Sequence, residues 1–123
     1  MTASWMIHII DDDEAMRTSL LFALQTSGYR ASAYPGASEF LAQEEAERGV
    51  LISDVRMPGM NGVELTRLLR QRGSTMPVIL ITGNANGTLK AEAMSAGADA
   101  VLEKPVALAA ILTEISRVTA DWV

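Results

Sequence analysis

Short apolar runs of strand length alternate with helix-like stretches about every twenty residues along this chain. Met6 to Ile10 (MIHII), Val50 to Ser53 (VLIS), Val78 to Thr82 (VILIT) and Ala100 to Glu103 (AVLE) are nearly continuous in apolar residues, the pattern of strands covered on both faces. Arg30 to Tyr34 (RASAY) is less apolar, which suits an edge strand. Between the runs the spacing turns helical. Met16, Leu20 and Leu24 fall at i, i+4 and i+8, while Leu65, Leu68 and Leu69 share one face. Leu108, Ile111, Leu112 and Ile115 form the clearest stripe, with Thr113, Glu114 and Arg117 left for water. Gly28, Gly73 and Gly97 each follow a helical stretch, where a left-handed residue ends a helix without a Cβ clash.

Five such βα units must make right-handed crossovers, so the pattern predicts an α/β fold: a doubly wound, mainly parallel sheet with helices on both faces. With 123 residues, 49% of them hydrophobic, one domain spanning 1–123 with a core of about 6–118 is expected. No repeat, linker or low-complexity block interrupts it. The absence of cysteine removes disulfides and thiol chemistry, leaving carboxylates, hydroxyls and amines. A net charge of -5 without a Lys/Arg cluster argues against direct nucleic-acid binding by this domain. No signal-peptide pattern and no run near the roughly 18 apolar residues of a membrane span are present, so a soluble, cytoplasmic protein without a membrane partner is expected.

Parallel sheets of this kind bind ligands beyond the carboxyl ends of their strands. The first strand leads into Asp11, Asp12 and Asp13, the third into Asp54, the fourth into Thr82 and Gly83, and the fifth into Lys104-Pro105. Each has an ordinary explanation taken singly. The Asp triplet could cap the next helix, Asp54 could begin a turn before Met57-Pro58-Gly59, Thr82 could be only a β-branched strand residue, and Lys104 a solvated charge. Those explanations leave their shared rim unaccounted for. Clustered carboxylates need a proton or a cation, and an all-oxygen donor set favours a hard ion such as Mg²⁺. Lys104 adds positive charge and Thr82 a hydroxyl donor, groups suited to hold phosphoryl oxygens while a carboxylate attacks phosphorus.

The stretches IHIIDDDEAMRTSL, GVLISDVRMPGMNGVEL, VILITG and EAMSAGADAVLEKP resemble the receiver family of two-component response regulators, the FixJ-type branch most of all. The resemblance runs from about Ile7 to Ile115. It implies a flavodoxin-like (βα)5 sheet of strand order 2-1-3-4-5, with Asp54 as phosphoacceptor. It further implies that Asp12 and Asp54 ligate Mg²⁺ directly, that Asp11 acts through water, and that the Arg56 backbone carbonyl supplies another ligand, with Mn²⁺ able to substitute. Thr82 would be the switch hydroxyl, and a cis Lys104-Pro105 bond, a geometry that proline alone makes accessible, would aim the amine. Gly62 matches the glycine at which the loop after the third strand turns tightly.

The implied partners are a sensor histidine kinase or phosphotransfer protein and a second copy of the phosphorylated chain. The implied role is a switch whose phosphoryl group biases the surface of the fourth and fifth βα units, not an enzyme with turnover beyond its own modification. An output domain downstream, acting on transcription, would lie outside this chain. Departures from the family pattern are also visible. Val101 stands where an aromatic often precedes the lysine by three residues, Asn84 and Arg56 occupy positions that tune phosphoryl lifetime, and Asn84 to Gly87 is a polar segment expected to be mobile.

Among the remaining features, His8 reads as a packed or partly exposed strand histidine and not a phosphorelay histidine, the seven Met residues as core filler, and Trp5 and Trp122 either as anchors for the domain's ends or as residues at a segment boundary. The EEAER run at Glu44 to Arg48 reads as solvated helix end and loop. Two other classes of function stand beside the switch. One is a phosphorylation-independent docking module. The other is a cofactor binder or phosphatase of the same topology, disfavoured because acids rather than a phosphate-cradling Gly-rich loop follow the first strand.

Overall fold

The computed structural model describes residues 5–43 and 48–122, so the EEAER run, Arg48 apart, lies outside the described residues. Five strands, β1 (Met6–Ile10), β2 (Ala31–Tyr34), β3 (Gly49–Asp54), β4 (Val78–Thr82) and β5 (Ala100–Glu103), alternate with five helices. These are α1 (Glu14–Thr26), α2 (Ala37–Leu41), α3 (Gly62–Gln71), α4 (Gly87–Ala96) and α5 (Leu108–Val118). The sheet is parallel throughout, in the order β2-β1-β3-β4-β5. The less apolar RASAY segment sits at one edge, as its composition predicts. No helix among the described residues is long and apolar enough to cross a membrane.

Strand side chains alternate between two apolar cores. Ile7, Ile9, Val50, Ile52, Ile79 and Ile81 pack with Leu24 of α1 and with Ile111 and Ile115 of α5. Ile10, Leu51, Val78 and Leu80 pack on the other side with residues of α2, α3 and α4, including Phe40, Leu65 and Ala93. Every residue of β3 and β4 is buried, which explains why those strands read as unbroken apolar runs.

Two predicted core positions fall outside the core. Met16 is 47% exposed and Leu108 is 37% exposed. Both lie in the first turn of their helices, level with the strand ends, where the sheet offers no further surface to cover them. Glu114, expected in water, is half-buried and pairs with Arg117 at 2.8 Å. The methionines divide: Met57, Met60 and Met76 pack against the α2/α3/α4 core, whereas Met94 is 54% exposed.

His8 is buried, as expected, between Tyr34 and Phe40, with ring centroids 6.1 and 5.4 Å away. At the opposite pole from the acids, Trp5 meets Trp122 edge-on at 5.2 Å, and the Arg48 guanidinium lies 4.3 Å above the Trp122 ring. Start and end of the domain are thereby pinned together, the anchoring role expected for the two tryptophans. Gly97 closes α4 in the left-handed region at φ 108°, where a Cβ would also press on the Arg70 side chain.

Candidate functional site

The acid triplet after β1 divides its work. Asp13 caps α1, its side chain accepting from the Met16 amide at 3.2 Å. Asp11 is buried, and its Oδ1 accepts from the Asp13 amide at 2.9 Å. Arg17 donates to the Asp11 carbonyl at 2.8 Å, fixing the loop from one turn into α1. Capping and clustering, which compete as explanations of the triplet in sequence, are both correct for different members.

Asp54 ends β3 with only 9% of its surface exposed. Its backbone is held on several sides: Ser53 donates its hydroxyl to the Asp54 carbonyl at 2.9 Å, and the neighbouring Val55 amide reaches Ile81 of β4 at 2.9 Å. Gly62 opens α3 against this segment, where a Cβ would stand 2.7 Å from the Asp54 carbonyl oxygen. The loop closes at Gly62, whose amide donates to the Val55 carbonyl at 2.9 Å, while the positive φ of the segment, 79°, falls on Gly59. Gly62 is required because helix and strand approach closely, not because its own backbone is left-handed.

Carboxylate oxygens of Asp11, Asp12 and Asp54 lie within 4.8 Å of one another, and the Lys104 ammonium is 3.2 Å from Asp54 Oδ2. The Lys104-Pro105 bond is cis. Burial pushes the Asp11 carboxyl above its usual range, and the charges of Asp54 and Asp12 push it further; the Asp13 amide and Lys104 oppose them. An exclusively oxygen donor set whose buried member resists ionisation is suited to a hard divalent cation. Asp11, Asp12 and Asp54 could hold one. The arrangement presents a partly screened carboxylate, an ammonium beside it and a focus for cationic charge, which is what stabilising a developing oxyanion on an incoming electrophile requires.

Thr82 is buried, and its Oγ1 accepts from the Asn84 amide at 3.2 Å rather than bonding Asp54. Strand alternation explains this. Asp54 follows Ile52 on the α1/α5 side, whereas Thr82 follows Leu80 on the side of α3 and α4, as does Val101, which is half-buried in that core. Asn84 is exposed. The segment Asn84 to Gly87 is tied down at several points: the Ala85 amide donates to Glu103 Oε2 at 3.1 Å, and the Asn86 side chain caps α4 through Leu89 N at 2.8 Å. Arg56 is exposed and lines a cleft with Asp12, Met57, Pro58 and Asn61. A second cavity, of about 200 Å³, opens between α1 and α5, bounded by Asp11, Lys104, Met16, Leu20, Leu108 and Ile111.

Four contributing residues stand outside the set that the sequence marks. Asn61 and Glu64 form a reciprocal capping box at the start of α3, legible as N-x-x-E ahead of an apolar run. Arg17 and Glu103 act through backbone groups that only the folded chain brings near them, and no local pattern marks either.

A sequence profile of the response regulator receiver domain matches residues 7–116. The transcriptional regulatory protein FixJ of Azorhizobium caulinodans is 44% identical over 116 residues, 94% of this chain and 55% of that protein. The C4-dicarboxylate transport transcriptional regulatory protein DctD of Pseudomonas aeruginosa is 38% identical over 116 residues, 94% of this chain and 25% of that protein. The chain thus spans about half the length of the FixJ relatives it matches, and less of DctD. The crystal structure of FixJ-N superposes with a TM-score of 0.89 at 38% identity, covering 99% of this chain and 98% of that one. Sheet order, acid cluster and relatives agree: the chain belongs to the receiver domain family of two-component response regulators, among relatives that regulate transcription.

Proposed function

We propose that Asp54 accepts a phosphoryl group from a phosphohistidine of a histidine kinase or phosphotransfer protein, and that the modified domain switches the surface around the β4 to α4 loop and β5. The observation that carries this reading is the Lys104 ammonium 3.2 Å from Asp54 Oδ2, beside the clustered carboxylates. A carboxylate oxygen of Asp54 attacks phosphorus, the new P–O bond forms as the P–N bond breaks, and the imidazole leaves with the electron pair. Mg²⁺, or Mn²⁺ in its place, would be held by Asp11, Asp12, Asp54 and the Arg56 carbonyl, and when bound it neutralises charge on the phosphoryl oxygens. Lys104 supplies the fixed positive charge of the protein itself. Asp11 keeps its loop rigid through Asp13, and burial of Asp54 limits competing water.

Thr82 then turns its hydroxyl towards the phosphoryl oxygen, with Asn84 and Arg56 tuning how long the group persists. The chain accelerates its own modification and its loss, and turns over no external substrate. Control of transcription through an attached or partner domain, and pairing of phosphorylated copies, follow by likeness to the FixJ and DctD regulators.

Incubation with radiolabelled acetyl phosphate and Mg²⁺ tests the reading. Wild type takes up one acid-stable, base-labile label, chelation abolishes it, and Asp54→Asn takes up none. Equal labelling of Asp54→Asn and wild type would overturn the assignment.

A further inference from the structure

Thr82 and Glu103 are register partners on β4 and β5. By strand alternation both side chains belong to the side of the sheet that carries α4, with Leu80 and Val101. Each takes a backbone N–H from the same loop: Thr82 Oγ1 holds the Asn84 amide at 3.2 Å, and Glu103 Oε2 holds the Ala85 amide at 3.1 Å. Glu103 is also the chain neighbour of Lys104, whose amide donates to the Thr82 carbonyl at 2.8 Å while its ammonium meets Asp54. The dipeptide Glu103-Lys104, at the end of β5, therefore grips both the acid and the loop beside it.

The two loop anchors are unequal. Side-chain oxygens occupy discrete staggered positions, so turning Thr82 Oγ1 towards Asp54 takes it away from the Asn84 amide. The Glu103 contact is then what still holds the loop in its resting place, so the loop moves only when that contact breaks as well. An ionised acceptor makes the stronger of the two bonds, and exposure of Glu103 keeps its worth modest.

We propose that Glu103 is a positioning residue: its carboxylate latches the β4 to α4 loop in the resting arrangement and so sets how readily Thr82 responds to a modified Asp54. This inference rests on the phosphoacceptor reading. Glu103 touches neither the phosphoryl group nor the cation. It acts through the Ala85 amide, by stabilising the state that the phosphoryl group must displace.

The experiment is a titration of the full chain with beryllofluoride and Mg²⁺, followed through the amide signals of Asn84 and Ala85, for wild type, Glu103→Ala and Glu103→Gln. In Glu103→Ala without beryllofluoride, both amides should already lie part way towards their beryllofluoride-bound positions. Beryllofluoride should bind that variant about three- to tenfold more tightly, the worth of one net hydrogen bond removed from the resting state. Glu103→Gln, which keeps a carbonyl acceptor, should stay within about twofold of wild type. A gain in affinity is not what a damaged fold produces. Unmoved amides and unchanged or weaker binding in Glu103→Ala, with a responsive wild type, overturn the latch alone. A wild type whose amides ignore beryllofluoride overturns the phosphoacceptor reading and the latch with it.

Discussion

Asp11 carries a charge that the fold resists. Its carboxyl is raised above the ordinary 3.8 by burial and then by Asp54 and Asp12. A group with a higher folded than unfolded pKa binds more protons when folded, so its ionisation erodes stability as pH climbs from about 3.8 through the folded value. Asp11→Asn retains a carbonyl to accept from Asp13 and escapes that cost. In Mg²⁺-free buffer, urea denaturation should show the variant close to wild type near pH 3.8 and increasingly more stable towards neutrality; a pH-independent gap would contradict this. Lys104→Ala removes the ammonium beside Asp54, and labelling by acetyl phosphate should slow about a hundredfold. The site residues were legible because strand periodicity placed Asp54, Thr82 and Lys104 at strand ends, where topology gathers them. The separate tasks of Asp11 and Asp13 were not, since a helix cap and an acid cluster demand the same side chain.

Helix starts do much to place the site. Asn61 and Glu64 secure α3, and Gly62 lets its first turn rest on the Asp54 carbonyl. Asn61→Ala should cost about 1 kcal/mol in chemical denaturation, with labelling largely preserved. Gly62→Ala should cost about 1–3 kcal/mol and also slow labelling, because the Cβ can be accommodated only by moving the Asp54 backbone or lifting the helix. Similar stability loss without a labelling defect would show that α3 alone yields. Strands β1, β3 and β4 could be read almost to the residue, since apolar runs buried on both sides have sharp polar ends. Helix faces were less legible at Met16 and Leu108, where the apolar stripe extends beyond the sheet that would bury it. The close approach at Gly62 was hidden because a sequence shows that a glycine is present, not which neighbour excludes a side chain.

The whole domain is a single parallel sheet whose chemistry is gathered at one pole and whose chain ends are pinned by Trp5 and Trp122 at the other. A cation that binds the folded acids and not the unfolded chain must stabilise the fold, by about 2.7 kcal/mol at a concentration one hundred times its Kd. Thermal unfolding should therefore shift upward with Mg²⁺ in wild type and much less in Asp54→Asn; equal shifts would remove Asp54 from the cation site. Topology was legible at this scale because repeated βα units leave few right-handed solutions. The aromatic contact between the two ends was not, because Trp5 and Trp122 stand almost a full chain length apart. Asp54 and Thr82 occupy neighbouring strands yet belong to opposite sides of the sheet. That offset makes the layer behave as a partition with a window. Under the proposed phosphotransfer, a donor that reaches Asp54 from the α1/α5 side leaves the far side uncovered, so donor and listener need not compete for the same ground.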